Sequence, residues 1–266
     1  MQISLLVDAI GLTIVLINVP SKPRKLKIPI PAKALLQNKN YIFAVIVFSI
    51  HACAQFAFRS IMPLWIKSDK ESGGLGWESE QETGLMNSLS GLFVAIIPVF
   101  LTPRLSAKLG LYKSLYVVEM FLIPFMVLPV LSVYFKGNWV WIVLIITNGL
   151  NVCLSTIFIS LISITISNSV EFSITGLAIG ISQTFAETAR TLSAFGGPAL
   201  FGMVSSFDLK FPFNSRILFF FITCLLFSNC LIIYNRLNAS VETRLQDTDD
   251  NNGVEINEKS ALNKGY

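Results

Sequence analysis

Seven apolar runs, most of them as long as a bilayer core is thick, set the terms for this chain: Ile3–Val19, Ile42–Ile66, Gly84–Thr102, Leu115–Tyr134, Trp139–Ile166, Ile174–Val204 and Ile217–Tyr234. Crossing roughly 30 Å of hydrocarbon takes about 20 helical residues. No water reaches the backbone there, so each run must satisfy its own amides and carbonyls, which a helix does. The first run is short and carries Asp8, and it reads as the end of a longer helix. Of 266 residues, 53% are hydrophobic and only 14% charged, where soluble domains carry roughly a quarter charged. The expected fold is an all-α polytopic bundle of about seven spans.

Charge between the runs orients them. The segment SKPRKLKIPIPAKALLQNKN (residues 20–41 as a linker) holds Lys22, Arg24, Lys25, Lys27, Lys33 and Lys39, and its prolines oppose a continuous helix. Excess Lys and Arg marks cytoplasmic loops, so this linker is placed inside, with one turn of helix near Ala32–Leu36. Alternation puts Lys67–Thr83 outside, and that stretch is acidic, with Asp69, Glu71, Glu78, Glu80 and Glu82. The next connection, with Arg104, Lys108 and Lys113, falls inside, as does everything after Arg236. The tail from residue 237 to Tyr266 is polar, acidic and poor in aromatics, which predicts disorder. Its sequon, Asn238-Ala239-Ser240, would face the cytoplasm and stay unglycosylated.

Polar residues inside apolar runs are expensive, so they mark function or pairing. In Glu171–Val204, helical spacing lines up Gly180, Gln183, Glu187, Arg190, Ala194 and Gly197 on one stripe. Glu187 and Arg190 are close enough to pair, and a role in gating or coupling is favoured because buried pairs stabilise poorly compared with apolar packing. Gly180, Gly197 and Gly202 are the positions expected to let a neighbouring helix approach. In Ile42–Ile66, His51, Gln55 and Arg59 form a second stripe. Gln55 and Arg59 are candidates for a cavity wall, Arg59 as an anion or counter-charge site, whereas His51 reads as a histidine hydrogen-bonded within the bundle. Asn148, Asn151 and Ser155 form a third stripe, suited equally to a cavity wall and to interhelical hydrogen bonds. The runs Leu115–Tyr134 and Ile217–Tyr234 look lipid-facing; Glu119 is expected near the headgroups, and Pro98, Pro124 and Pro129 are expected kinks.

The four cysteines all sit within apolar runs, with no disulfide framework and no metal motif. No GxGxxG, Walker loop, HExxH or GxSxG element is present, so nothing points to an enzyme or to a resident cofactor. The net charge of +4 is clustered in loops and fits membrane orientation better than nucleic-acid binding.

Three stretches carry a resemblance. MPLWIKSDKESGGLGWESEQETG, PRLSAKLGLYKS (Pro103–Ser114) and ARTLSAFGGPALFG (Ala189–Gly202) resemble, in this order, elements of the C-terminal half of major facilitator superfamily transporters, in the zinc-induced facilitator-like group. In the second, Arg104, Lys108, Gly110 and Lys113 belong to a degenerate copy of the inner-loop motif, with Ala107 where the family has an acid. In the third, Arg190, Gly197 and Gly202 match, while Ser193-Ala194 replace Gly-Pro. The resemblance covers most of Ile42–Tyr234. It implies that the runs correspond to helices six to twelve, with 42–236 as a six-helix half, residues 1–19 as a partial helix and the first five helices lacking. It further implies a secondary transporter of a small solute or ion, proton-coupled, in a plasma or vacuolar-type membrane. A missing N-terminal half would then be its partner, and Gln55, Arg59, Asn148, Asn151, Gln183, Glu187 and Arg190 would line the pathway. Arg59 stands where related facilitators often carry an acid. Two other readings compete: a truncated, non-transporting membrane protein or interaction partner, and a seven-helix receptor, which lacks DRY-like and NPxxY-like elements. Zinc as cargo finds no support in a chain with one histidine.

Overall fold

The computed structural model describes residues 35–70 (except 36), 73–77, 80–206 and 216–237. The first apolar run, most of the basic linker, Glu71 and Glu78, the sequon and the acidic tail lie outside the described residues. Within them the chain is all-α, with no strand. Its helices are α1 (Lys39–Lys67), α2 (Glu80–Leu109), α3 (Leu111–Val127), α4 (Asn138–Asn168), α5 (Thr175–Ser206) and α6 (Ile217–Arg236). Short 3-10 segments, Leu128–Tyr134 and Phe172–Ile174, follow α3 and precede α5.

Local chemistry explains the boundaries. Asn38 caps α1: its side-chain oxygen accepts from the Tyr41 N–H at 3.2 Å, satisfying an otherwise unpaired first-turn amide. Its amide nitrogen donates to the Ser169 carbonyl at 2.5 Å and ties the start of α1 to the end of α4. Pro98 and Pro103 lie inside α2, which runs on to Leu109. The basic stretch expected as a loop is therefore largely helix, and the turn is one residue, Gly110, at φ 78°. That left-handed conformation is open to glycine and strained for other residues. Ser114 closes the corner by donating to the Leu105 carbonyl at 3.0 Å. Pro124 lies within α3, and Pro129 is the second residue of the 3-10 segment in which that run ends. On the other end of the bundle, the Trp65 indole N–H and Arg216 Nε both donate to the Gly73 carbonyl at 3.0 Å. Gly74 beside it has no room for a side chain, since a Cβ would come within 2.2 Å of the Ser68 carbonyl oxygen.

Five of the six helices are long and apolar enough to cross a membrane, fewer than the seven spans expected. One of the missing two lies outside the described residues. The other is α5, whose Gln183, Glu187, Arg190 and several threonines dilute its apolar character. The chain is an integral membrane protein by these helices.

Packing divides the helices into covered and uncovered ones. Two apolar clusters fill the interior, one around Phe48, Leu115 and Phe158, the other around Phe58, Trp65 and Phe219. α5 meets α1 through small residues, Ala178, Ser182, Ala186, Ser193 and Gly197, which are the buried positions at helical spacing. The opposite sides of α2 and α5 stay bare: Val99 is 65% exposed and Phe195 75%. The runs expected to face lipid around most of their circumference, α3 and α6, each bury a full face instead.

Candidate functional site

α1 runs between the two polar centres of the bundle, and its 3.6-residue period aims neighbouring side chains at different partners. His51 turns one way, into the interior. There its Nδ1 lies 2.9 Å from Glu119 Oε2 on α3 and its Nε2 lies 3.1 Å from Ser155 Oγ on α4. The imidazole stacks on Phe158, with ring centroids 4.0 Å apart. Glu119 Oε1 accepts from the Asn229 amide of α6 at 2.7 Å, and that amide also donates to the Val47 carbonyl at 3.2 Å. Four helices are thus joined by one hydrogen-bonded knot with both ionisable members fully buried. On α1, α3 and α6 the knot falls where one apolar cluster gives way to the other.

Glu119 corrects the expectation of a headgroup carboxylate. A charge taken out of water needs a partner and hydrogen bonds to its remaining lone pairs, and His51 with Asn229 supply them. Sequence reasoning singled out His51 but missed both partners. A signal was available: a lone acid in one apolar run and a lone histidine in another are each costly alone.

The second polar centre lies on the open side of α5. Arg190 Nη1 pairs with Glu187 Oε1 one turn away, and the Gln183 amide donates to the same oxygen at 3.4 Å. Glu187 is 55% exposed and Arg190 15%. The Arg190 guanidinium carbon stands 5.4 Å from the Phe56 ring centre and 5.8 Å from that of Phe48, both on α1. Arg59 approaches the Phe56 ring as well, at 5.9 Å. Two guanidinium groups from two helices therefore share one aromatic ring. Gln55 is almost fully buried on α1, and both atoms of its amide lack hydrogen-bond partners; Arg190 Nε is likewise unpartnered. Arg59, Gln183, Glu187 and Arg190 thus gather along the α1–α5 seam, whereas Gln55 is buried on α1 four residues on from His51.

Asn148 and Asn151 go elsewhere. Asn148 donates to Asn87 Oδ1 at 3.2 Å and to Ser90 Oγ at 3.1 Å, binding α4 to α2, and Asn151 donates to Met126 Sδ at 3.4 Å, binding α4 to α3. With Ser155 on His51, the stripe of α4 reaches three different neighbours. Arg104, Lys108 and Lys113 are exposed around the Gly110 corner, at one end of the bundle. Of the three glycines, Gly197 is pressed on α1, where a Cβ would stand 2.6 Å from Ser60 Oγ, whereas Gly180 and Gly202 face open space. Among the described residues no cluster of three or more His, Cys, Asp or Glu is arranged to hold a metal.

No family model and no solved structure matches the chain. A curated protein of Arabidopsis thaliana described as a "probable peptide/nitrate transporter" is 28% identical over 173 residues, covering 63% of this chain and 34% of that protein. The chain spans about a third of the length of the curated relative it matches.

Proposed function

We propose that this chain is part of a proton-coupled secondary transporter of the facilitator type, in the zinc-induced facilitator-like group, and that a small solute passes along the α1–α5 seam. The observation that carries this reading is the placement of Gln183, Glu187 and Arg190. They form a charged cluster on an uncovered side of a helix that otherwise belongs to a membrane bundle. Intramembrane charges of that kind line pathways for solutes or ions. Similarity to a protein described as a peptide/nitrate transporter supports the same direction and offers small peptides and nitrate as first solutes to try. Facilitators set two helical halves around a midplane site. A companion half would cover the bare faces of α2 and α5 and close the seam, with the basic central linker and the tail on the cytoplasmic side of a plasma or vacuolar-type membrane.

The test is uptake into proteoliposomes under an inward proton gradient, with this chain alone and with this chain co-reconstituted with an N-terminal facilitator half. Glu187→Gln and Arg190→Gln are each expected to lower uptake severalfold. Undiminished uptake with both exchanged would remove the seam from the pathway.

A further inference from the structure

α1 and α4 run antiparallel, and two contacts fix how they line up. Asn38, at the start of α1, donates to the carbonyl of Ser169 at the end of α4, and His51 meets Ser155 in the middle of the bundle. The stretches between these contacts are nearly equal on the two helices, so the helices stay in step. One turn beyond the His51 knot, Gln55 of α1 is therefore level with Asn151 of α4. Four residues overshoot a full helical turn by only about 40°, so both side chains keep to the faces that meet at His51 and Ser155. Gln55 is 3% exposed and Asn151 0%. Neither Nε2 nor Oε1 of Gln55 has a hydrogen-bond partner, and Asn151 Oδ1 has none either, while its amide nitrogen is engaged with Met126 Sδ at 3.4 Å. Three polar atoms thus sit at one level of the interior, and none is bonded to another. A buried donor or acceptor left in that state is costly. Polar groups that face each other beyond direct reach are commonly bridged by water.

We propose that the interior between α1, α3 and α4 holds a bound water at the level of Gln55 and Asn151, one turn from the His51–Glu119 pair and closed to the α1–α5 seam. The water donates to Asn151 Oδ1 and Gln55 Oε1 and accepts from Gln55 Nε2, about three bonds, the usual number for a buried water. A metal ion does not suit the place. Both amides are neutral, and the two oxygens of Glu119, the carboxylate one turn away, are held by His51 and Asn229. An anion does not suit it either, since Arg190 is paired with Glu187 and Arg59 lies beside Phe56. Gln55 and Asn151, both expected along a solute pathway, instead join α1 to α4 through solvent that the bundle keeps. The proposal stands apart from the transport reading and does not need it.

The experiment is hydroxyl-radical labelling by X-ray radiolysis of the purified full 266-residue chain in detergent, with and without a soluble radical scavenger, read residue by residue by mass spectrometry. A radical born from a bound water oxidises the side chain beside it. Met126 is the reporter, since its sulfur is bonded to Asn151 and it is 0% exposed. Met126 is expected to be oxidised, and the scavenger is expected not to protect it. Tyr134, 68% exposed, should be oxidised and protected. Met62, buried two turns on from Gln55 in an apolar cluster with Leu144, should stay unlabelled. Gln55→Leu puts methyl groups where the amide was and should lower Met126 labelling severalfold, with size-exclusion profiles confirming that the variant is folded. Three results overturn the proposal: an unlabelled Met126 in the wild-type chain, labelling of Met62 to the same extent as Met126, or protection of Met126 by the scavenger as complete as that of Tyr134. Unchanged labelling of Met126 in monodisperse Gln55→Leu does so as well. If that variant fails to fold, the wild-type results alone decide.

Discussion

His51–Glu119 is sealed, with both side chains 0% exposed, whereas Arg190–Glu187 keeps 15% and 55% exposure on its two members. Both are acid–base pairs within one bundle, yet their surroundings assign them different work. Around Glu119 each oxygen has a partner, His51 of α1 and Asn229 of α6, and Ser155 of α4 holds the far side of His51. Breaking that pair means finding new bonds for several helices at once. Around Glu187 the partners come from its own helix, and Nε of its partner Arg190 is unfilled. That pair can change partners without disturbing the bundle. A charge pair inside a membrane protein is therefore a fastener or a moving part according to what else its atoms hold.

Substitutions at the two pairs and around them test this contrast. The largest effect is expected from Glu119→Leu, which leaves His51 buried with no acid; losses of about 3–5 kcal/mol accompany such removals. The thermal midpoint in detergent should drop steeply, and His51→Leu/Glu119→Leu together should recover most of it. A single variant as stable as wild type would erase the distinction. Next, Asn229→Leu removes the donor to Glu119 Oε1 and should cost about 1.5–3 kcal/mol, the range for hydrogen bonds to charged groups, read from the same melting curves. On the other side, Gly197→Val drives branched carbon into Ser60 and Ile61 of α1. Overpacking of that kind costs about 1–3 kcal/mol, and crosslinking between cysteines placed on α1 and α5 should report the helices moving apart. Smallest is the stability change for Glu187→Gln: exposed pairs contribute about 0–1 kcal/mol, so its melting curve should overlay the wild type even as uptake falls. A large destabilisation there would make the open pair a fastener as well.

Much of the architecture was legible because hydrocarbon imposes few solutions. Runs of the right length had to be helices, and α1, α4 and α6 begin and end within three residues of their apolar runs. The corner at Gly110 was harder. Prolines and basic residues read as a loop, but Pro103 is tolerated inside α2 and the cations project from its last turns. The pairing of Glu187 with Arg190 followed from spacing along one helix. His51 with Glu119 did not, because their contact joins positions 68 residues apart and no local pattern links the two runs. The three polar residues of α4 shared a stripe, yet they reach α2, α3 and α1 separately, since a stripe on a central helix is wide enough to meet several neighbours.

The single-residue corner at Gly110 meters the chain. α2 is anchored by its contact with α4, through Asn148 on Ser90 and Asn87 and through Phe93 over Gly149. With α2 fixed, deleting Gly110 would draw α3 back by one residue, and one residue on an α-helix is a rotation of about 100°. Glu119 would swing away from His51 and Asn229 into the apolar surroundings. The shortest connection in the bundle therefore keeps the register of its most deeply buried charge, and reading-frame-preserving deletions there are expected to be among the least tolerated in the chain.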